Sequence, residues 1–216
     1  MWRSDFTASA GVCEPATRNL AVDVDALPRD RIVQALAVTV ARDGFADSKV
    51  QDIARAGHVS LRTLYELFAN KEACLLELHG RLTRTMLERV PATAPAAPWR
   101  TAMGDVAEAC LAPLAAHPRL AHAVVVELAR LSPAAQRARE DAIARFVERL
   151  CAWIELGRAA NPAVPSRPLS PQTGRFIVGG ATELLLAQGA AGASGQLAEL
   201  AETVADALHR AVVREA

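Results

Sequence analysis

Apolar residues along this chain recur at helical spacing, and the breaks between the runs divide it into helices. From Pro28, which suits a first-turn position, Ile32, Val33, Leu36, Ala37 and Val40 share one face until Gly44 ends the run. Ser48 is placed to cap a short second helix with Val50, Ile53 and Ala54 inward, and Gly57 suits the sharp exit from it. Ser60 can cap a third helix that buries Leu64, Leu67 and Phe68 and ends near Asn70. Lys71 and Glu72 then open a longer fourth helix reaching about Val90. Pro91 to Pro98 reads as a connector, and helical patterns resume through Trp99 to Ala116 and, after His117-Pro118, through Arg130. Pro133 starts the longest helix, with Ile143, Phe146, Val147, Leu150 and Ile154 on one stripe up to about Ala160. The prolines of residues 161–171 exclude a regular element and predict a surface loop. Two further stripes follow, Phe176, Ile177, Gly180, Ala181, Leu184 and Leu185, then Leu197, Leu200, Ala201, Val204, Leu208 and Val212. The glycine-rich segment GAAGASG between them predicts an antiparallel pair.

Composition agrees with an all-α fold. Hydrophobic residues make up 51% of the chain but aromatics only 4%, which favours closely packed helices over a β-sandwich. Residues 1–27 lack sustained periodicity and are expected to form a tail, loose or lightly docked. Lys plus Arg equals Asp plus Glu at 24 each, so no net field attracts nucleic acid or anionic membrane, and any DNA affinity must be local. Cys13, Cys74, Cys110 and Cys151 are far apart with no CxxC or Cys/His spacing, which fits free thiols in a reducing cytosol. The N-terminus lacks the apolar core of a secretory signal, and no uncharged apolar run reaches the ~18 residues of a membrane span. A cytoplasmic protein is expected. HExxH, GxSxG, GxxxxGK and strand-borne GxGxxG patterns are all absent, and the histidines are not spaced as ligands, so neither catalysis, cofactor nor metal is implied.

Two short helices joined by a tight turn, the second burying leucines while exposing polar side chains, are the minimum apparatus for placing a helix in the major groove. Residues 48–68 meet that description: Ser60, Leu61, Arg62 and Thr63 fall at the start of the second helix, where base edges are reached, and Arg62 is the natural partner for a guanine. The stretch IVQALAVTVARDGFADSKVQDIARAGHVSLRTLYELFANKEACL resembles the N-terminal DNA-binding domain of the tetracycline-repressor (TetR) family. Gly44-Phe45, Asp52-Ile53-Ala54, Thr63-Leu64-Tyr65, Phe68 and Lys71-Glu72 carry the resemblance. It implies that Tyr65 and Lys71 meet the DNA backbone, that Ser48, Lys49 and Gln51 approach a phosphate or groove edge, and that Thr63 meets backbone or base. Two departures stand out: His58 sits where the family has a glycine in the turn, and Arg62 replaces a frequent glycine. From Pro28 to Glu72 the cations exceed the anions by only one, seven against six, so pairing of two heads must compensate. On residues alone, Tyr65 can equally be a half-buried core aromatic, and Lys49 or Arg62 an ordinary solvated charge.

The resemblance further implies that the C-terminal helices enclose a ligand pocket and that the last two form a dimer interface, with Phe176, Gly180, Leu184, Leu197, Leu200, Val204 and Leu208 as its candidates. Gly179, Gly180 and Ala181 permit close helix approach, although the same stripes can instead close the protomer's own core. Trp99, His117, His122, Glu127 and Trp153 are the candidate pocket groups, against the plainer readings of packed tryptophans and a solvated carboxylate. An apolar or amphipathic small molecule would suit this aromatic-poor body. The expected organisation is a tail at 1–27, a three-helix helix-turn-helix head at 28–74 and a six-helix ligand-binding and dimerisation body at 75–216. The expected function is a homodimeric regulator released from a palindromic double-stranded operator by a small molecule. The alternative is an all-helical adaptor or enzyme without DNA affinity.

Overall fold

The computed structural model describes residues 20–95, 98–191 and 197–214. Most of the expected tail and Cys13 lie outside them, as does most of the glycine-rich turn at 189–195. The described residues form α1 (Pro28–Asp43), α2 (Val50–Ala56), α3 (Leu61–Leu67), α4 (Lys71–Arg89), α5 (Trp99–Ala116), α6 (Pro118–Leu131), α7 (Pro133–Ala160), α8 (Pro171–Ala191) and α9 (Leu197–Val212). Helix α6 is interrupted by a π-helical turn over Ala123–Glu127. No sheet forms among these residues; an isolated bridge between Ser166 and Val213 fastens the 161–170 loop to the end of α9, and buried Leu169 anchors that loop in the body core.

Local chemistry accounts for most boundaries. Gly44 ends α1 with φ +86°, a conformation that L side chains rarely adopt. Ser60, Asn70 and Ser132 cap α3, α4 and α7 by accepting the backbone N–H three residues on, at 3.0, 2.8 and 3.2 Å. Helix α2 differs from expectation. Lys49, not Ser48, occupies its N-cap without a side-chain bond, and the buried Ser48 hydroxyl donates back to the Gly44 carbonyl at 2.6 Å. Ser48 therefore closes the turn leaving α1 rather than serving as a free polar group. The α5–α6 bend of 102° falls at His117-Pro118, where proline removes an N–H donor and pushes the preceding residue out of helical geometry.

Two apolar cores result, and α4 runs through both. The first joins Ile32, Leu36 and Val40 of α1 to Ile53, Leu64, Phe68 and Leu75, but it also takes in Leu120, Ala123, Val124 and Leu128 of α6. The head is thus completed by the body, and the boundary expected at 74/75 falls inside a continuous helix. Residues 20–27 are not loose: Leu20 and Val22 pack on this core, and the Asp23 N–H donates to Gln34 Oε1 at 2.8 Å. The second core gathers Trp99, Met103, Leu150, Trp153, Ile154 and Leu208, with α9 packed chiefly against α5.

Candidate nucleic-acid interface and ligand cavity

The α2–turn–α3 unit is held from beneath and open on its outer side. Leu64 and Phe68 are buried at 1% and 3% exposure, whereas Leu61 and Tyr65 are exposed at 40% and 56%. Burying Leu64 fixes the roll of α3, because residues one and two positions away then point elsewhere on the helix. The turn is tight: Gly57 and Val59 N–H groups donate to the Ile53 and Ala54 carbonyls at 2.9 and 3.0 Å. A Cβ on Gly57 would lie 3.3 Å from the Arg31 carbonyl oxygen, so glycine there lets α1 pass close by. His58 takes the positive φ, +50°, that the family's glycine would supply, and histidine is among the side chains that tolerate that region best.

The sequence-predicted contact residues divide into two groups. Lys49, Gln51, Ser60, Leu61, Arg62 and Tyr65 are all exposed, with Thr63 half-buried beside them. Ser60 and Thr63 are partly committed, since the Ser60 oxygen accepts from the Thr63 N–H and the two hydroxyls are 2.8 Å apart. Arg62, with 88% of its side chain exposed, forms an ion pair with Glu66 at 2.8 Å, one helical turn on, a contact cheap enough to exchange for another anion. Ser48 is buried at 3% and presents no hydroxyl outward.

Lys71 is turned inward. Its ammonium donates to the carbonyls of Phe45 at 2.6 Å, Ser48 at 2.9 Å and Ala46 at 3.4 Å, and it sits 4.3 Å from the centre of the Phe45 ring. Burial holds this amine below the ordinary lysine range, with Glu127 and Asp47 opposing that effect. Lys71 therefore braces the loop that carries Lys49 and the start of α2, a task that spacing alone did not suggest. An ion network braces the other flank. Arg29 and Arg81 converge on Glu77, with Arg29 Nε at 2.8 Å and Arg81 at 2.5 Å, and Arg81 also reaches Asp30 at 2.7 Å. The Arg29 hydrogen bond is the largest influence holding the Glu77 carboxyl below its ordinary value. Head and body also meet through polar bonds: the Arg119 guanidinium donates to the Arg42 carbonyl, and the Ser132 hydroxyl donates to the Glu72 carboxylate.

A cavity of about 470 Å³ opens in the body between α4, α5, α6, α7, α8 and α9. None of the five predicted pocket residues lines it. Trp99 and Trp153 are 5% and 2% exposed and fill the second core, their indole N–H groups without partners. His122 and Glu127 pair with each other at 3.0 Å on the outside of α6, and His117 is half-buried at the α5–α6 bend. The wall is instead apolar, with Met86, Leu111, Phe146 and Leu150 prominent, and it carries His79, Thr83, Arg139 and Thr182 as polar groups. Sequence reasoning missed His79 and Arg139. The available signal was that Arg139 lies one helical turn before Ile143, in register with the α7 stripe. Cys110 also lines the cavity, and burial pushes its thiol up to about 12.

The predicted dimer stripes also separate. On α8, Phe176 (81% exposed), Gly180 and Leu184 (48% exposed) line up at four-residue spacing on the outside, and a Cβ on Gly180 would meet nothing. On α9, Leu200 and Leu208 are buried within the protomer at 2% and 3%, with Leu197 and Val204 half-buried against the same cores. Those four side chains close the chain's own core and leave α9 a largely polar outer face that includes Glu199, Glu202, Thr203 and Arg210. Among the described residues no group of His, Cys, Asp and Glu could hold a metal ion, and no single helix is long and apolar enough to cross a membrane.

A helix-turn-helix head sharing a helix and a core with a cavity-bearing helical body defines a regulator-type architecture. The head carries the family resemblance: residues 32–78 match the model described as bacterial regulatory proteins, tetR family, and the match is confined to this domain. A comparison with curated protein sequences gives no match. Solved structures share the whole fold. A TetR-family transcriptional regulator from Mesorhizobium loti is 14% identical, with 87% of this chain and 97% of that one covered at a TM-score of 0.68. FadR from Bacillus subtilis, in complex with stearoyl-CoA, is 20% identical, with 84% and 97% covered at 0.65. A transcriptional regulator from Saccharomonospora viridis, in complex with choline, is 20% identical, with 87% and 98% covered at 0.67.

Proposed function

We propose that this protein is a ligand-responsive transcriptional regulator that binds a palindromic operator as a homodimer and is released from it by a small molecule. The observation that carries this reading is the outer face of α3, where Leu61, Arg62 and Tyr65 stand exposed on a helix whose roll Leu64 and Phe68 fix. Tyr65 stands exposed on this short capped helix, and a phenolic hydroxyl suits a phosphate oxygen. Lys49 and Gln51 supply further contacts from the start of α2, Thr63 supports Ser60, and Arg62 exchanges Glu66 for a base or phosphate. Phe176, Gly180 and Leu184 form the apolar centre of the dimer contact, an exposed stripe that a second copy related by a two-fold axis would cover. The cavity is the effector site, in keeping with its size and apolar wall and with the ligands held by the similarly folded FadR and choline-bound regulators.

Genome-wide capture of bound DNA, followed by anisotropy titration of the recovered duplex at two salt concentrations, tests this. Wild-type binding is expected to weaken steeply with salt. Arg62→Ala is expected to relax sequence preference, and Tyr65→Phe to weaken all sequences alike. Absence of salt-sensitive duplex binding would leave the helical-adaptor alternative in its place.

A further inference from the structure

On α4 and α7 the charged and titratable groups of the cavity wall gather at one end. His79 lies two turns into α4 from Lys71, and Arg139 lies nearly two turns into α7 from Ser132. Since the Ser132 hydroxyl is bonded to Glu72 in the first turn of α4, the two helices start side by side and both groups fall at the end of the cavity nearest the head. Further along the same helices the wall is Met86, Phe146 and Leu150, joined by Leu208, and carries no charge. A ligand matched to this wall has one polar end and an extended apolar remainder.

The sign of that polar end follows from the groups facing it. Arg139 lines the wall, and burial together with the charges of Arg145 and Arg139 holds His79 below its ordinary value, so the inner end is a guanidinium beside a neutral imidazole. The cavity's remaining charges, Arg130 and Glu183, are exposed, as befits the rim rather than the interior. A cation entering here would meet like charge, while a carboxylate would meet a donor fork in a low-dielectric site. Arg139 Nε donates to the Val125 carbonyl at 2.8 Å, which orients the guanidinium on the wall. Val125 belongs to the π-helical turn of α6, and the neighbouring Ala123 and Val124 are part of the head's core. The anionic end of a ligand would thus sit one side chain away from the element on which the head is packed.

Resting on the reading of this cavity as the effector site, we propose that the effector is an elongated amphipathic carboxylate whose acid group is held at Arg139 and His79, with its apolar chain running toward Phe146 and Leu150. The test uses the full chain and three probes of equal chain length, dodecanoate, dodecanol and dodecyltrimethylammonium, each titrated by calorimetry below its micellar concentration. Dodecanoate is expected to bind tightest and dodecyltrimethylammonium weakest. Arg139→Gln is expected to weaken dodecanoate about ten- to a hundredfold, the loss of a charge-assisted pair, while leaving dodecanol within a few fold. Arg139→Lys, which keeps the charge, retains the order of the three and covers the event that the glutamine variant fails to fold. Equal or tighter binding of dodecanol or the ammonium by wild type overturns the proposal yet leaves the cavity reading intact. Binding of none of the three, with duplex binding preserved, overturns the cavity reading itself.

Discussion

The sharpest quantitative expectation concerns Lys71, where the resemblance and the geometry assign different work to one ammonium. Lys71→Met keeps the length and apolar stem while removing the charge. The bonds lost are those to the Phe45 and Ser48 carbonyls, at 2.6 and 2.9 Å, and the contact with the Phe45 ring at 4.3 Å. Charge-assisted hydrogen bonds contribute roughly 1.5–3 kcal/mol each, and the lower figure applies because this side chain is only partly buried. The ring contact adds about 0.5 kcal/mol at such a site. Recovered desolvation of the ammonium offsets part of this, so the net loss is about 2–3 kcal/mol, or roughly 5–10 °C in Tm for a chain of this size. Urea and thermal unfolding followed by circular dichroism measure it, at one fixed protomer concentration because assembly contributes to apparent stability. Duplex binding measured in parallel should weaken while keeping its salt dependence, since no phosphate contact has been removed. A Lys71→Met protein with wild-type Tm and a salt slope shallower by about one would refute the brace and return Lys71 to the phosphate backbone.

Two further outcomes are expected. Phe176→Glu should give a folded monomer by sedimentation velocity, because burying a phenylalanine from each protomer is worth about 1.5–3 kcal/mol apiece, at least a hundredfold in Kd, and the exposed side chain contributes little to the isolated chain; an undiminished dimer would remove the α8 stripe from the interface. Glu77, whose folded-state value is lowered by Arg29 and Arg81, contributes stability that is present at neutral pH and lost as pH falls through that lowered value, so Glu77→Gln should lower Tm at neutral pH and flatten its fall below about pH 5; an unchanged acid limb would show the network to be idle.

What was legible from the residues was whatever depends on neighbours in the chain. The Ser60 cap is a bond across three positions, and the inward Leu64 and Phe68 follow from helical period, so the roll of α3 and its outward Leu61 and Arg62 could be read from the residues, whereas the exposure of Tyr65 was left open against a half-buried core position. Ser48 shows the limit of the same reasoning: serine before a helix suggests a cap, yet this hydroxyl turns back to Gly44 because Lys49 starts the helix.

The sequence by itself determined the succession of helices, the capped recognition helix and the presence of an apolar face on each long element, because periodicity and capping are set within a few residues. Only the tertiary structure decided where those faces go. The Lys71 amine finds its acceptor 26 residues away at Phe45, and no local rule points there. The α8 and α9 stripes are alike in composition, but α9 packs against α5 and spends its leucines inside the protomer, while α8 keeps Phe176 and Leu184 outside. The cavity, likewise, exists only where six helices fail to fill the space between them, so its polar end is made of His79 and Arg139, brought together from distant segments, and not of the tryptophans that pack into the core.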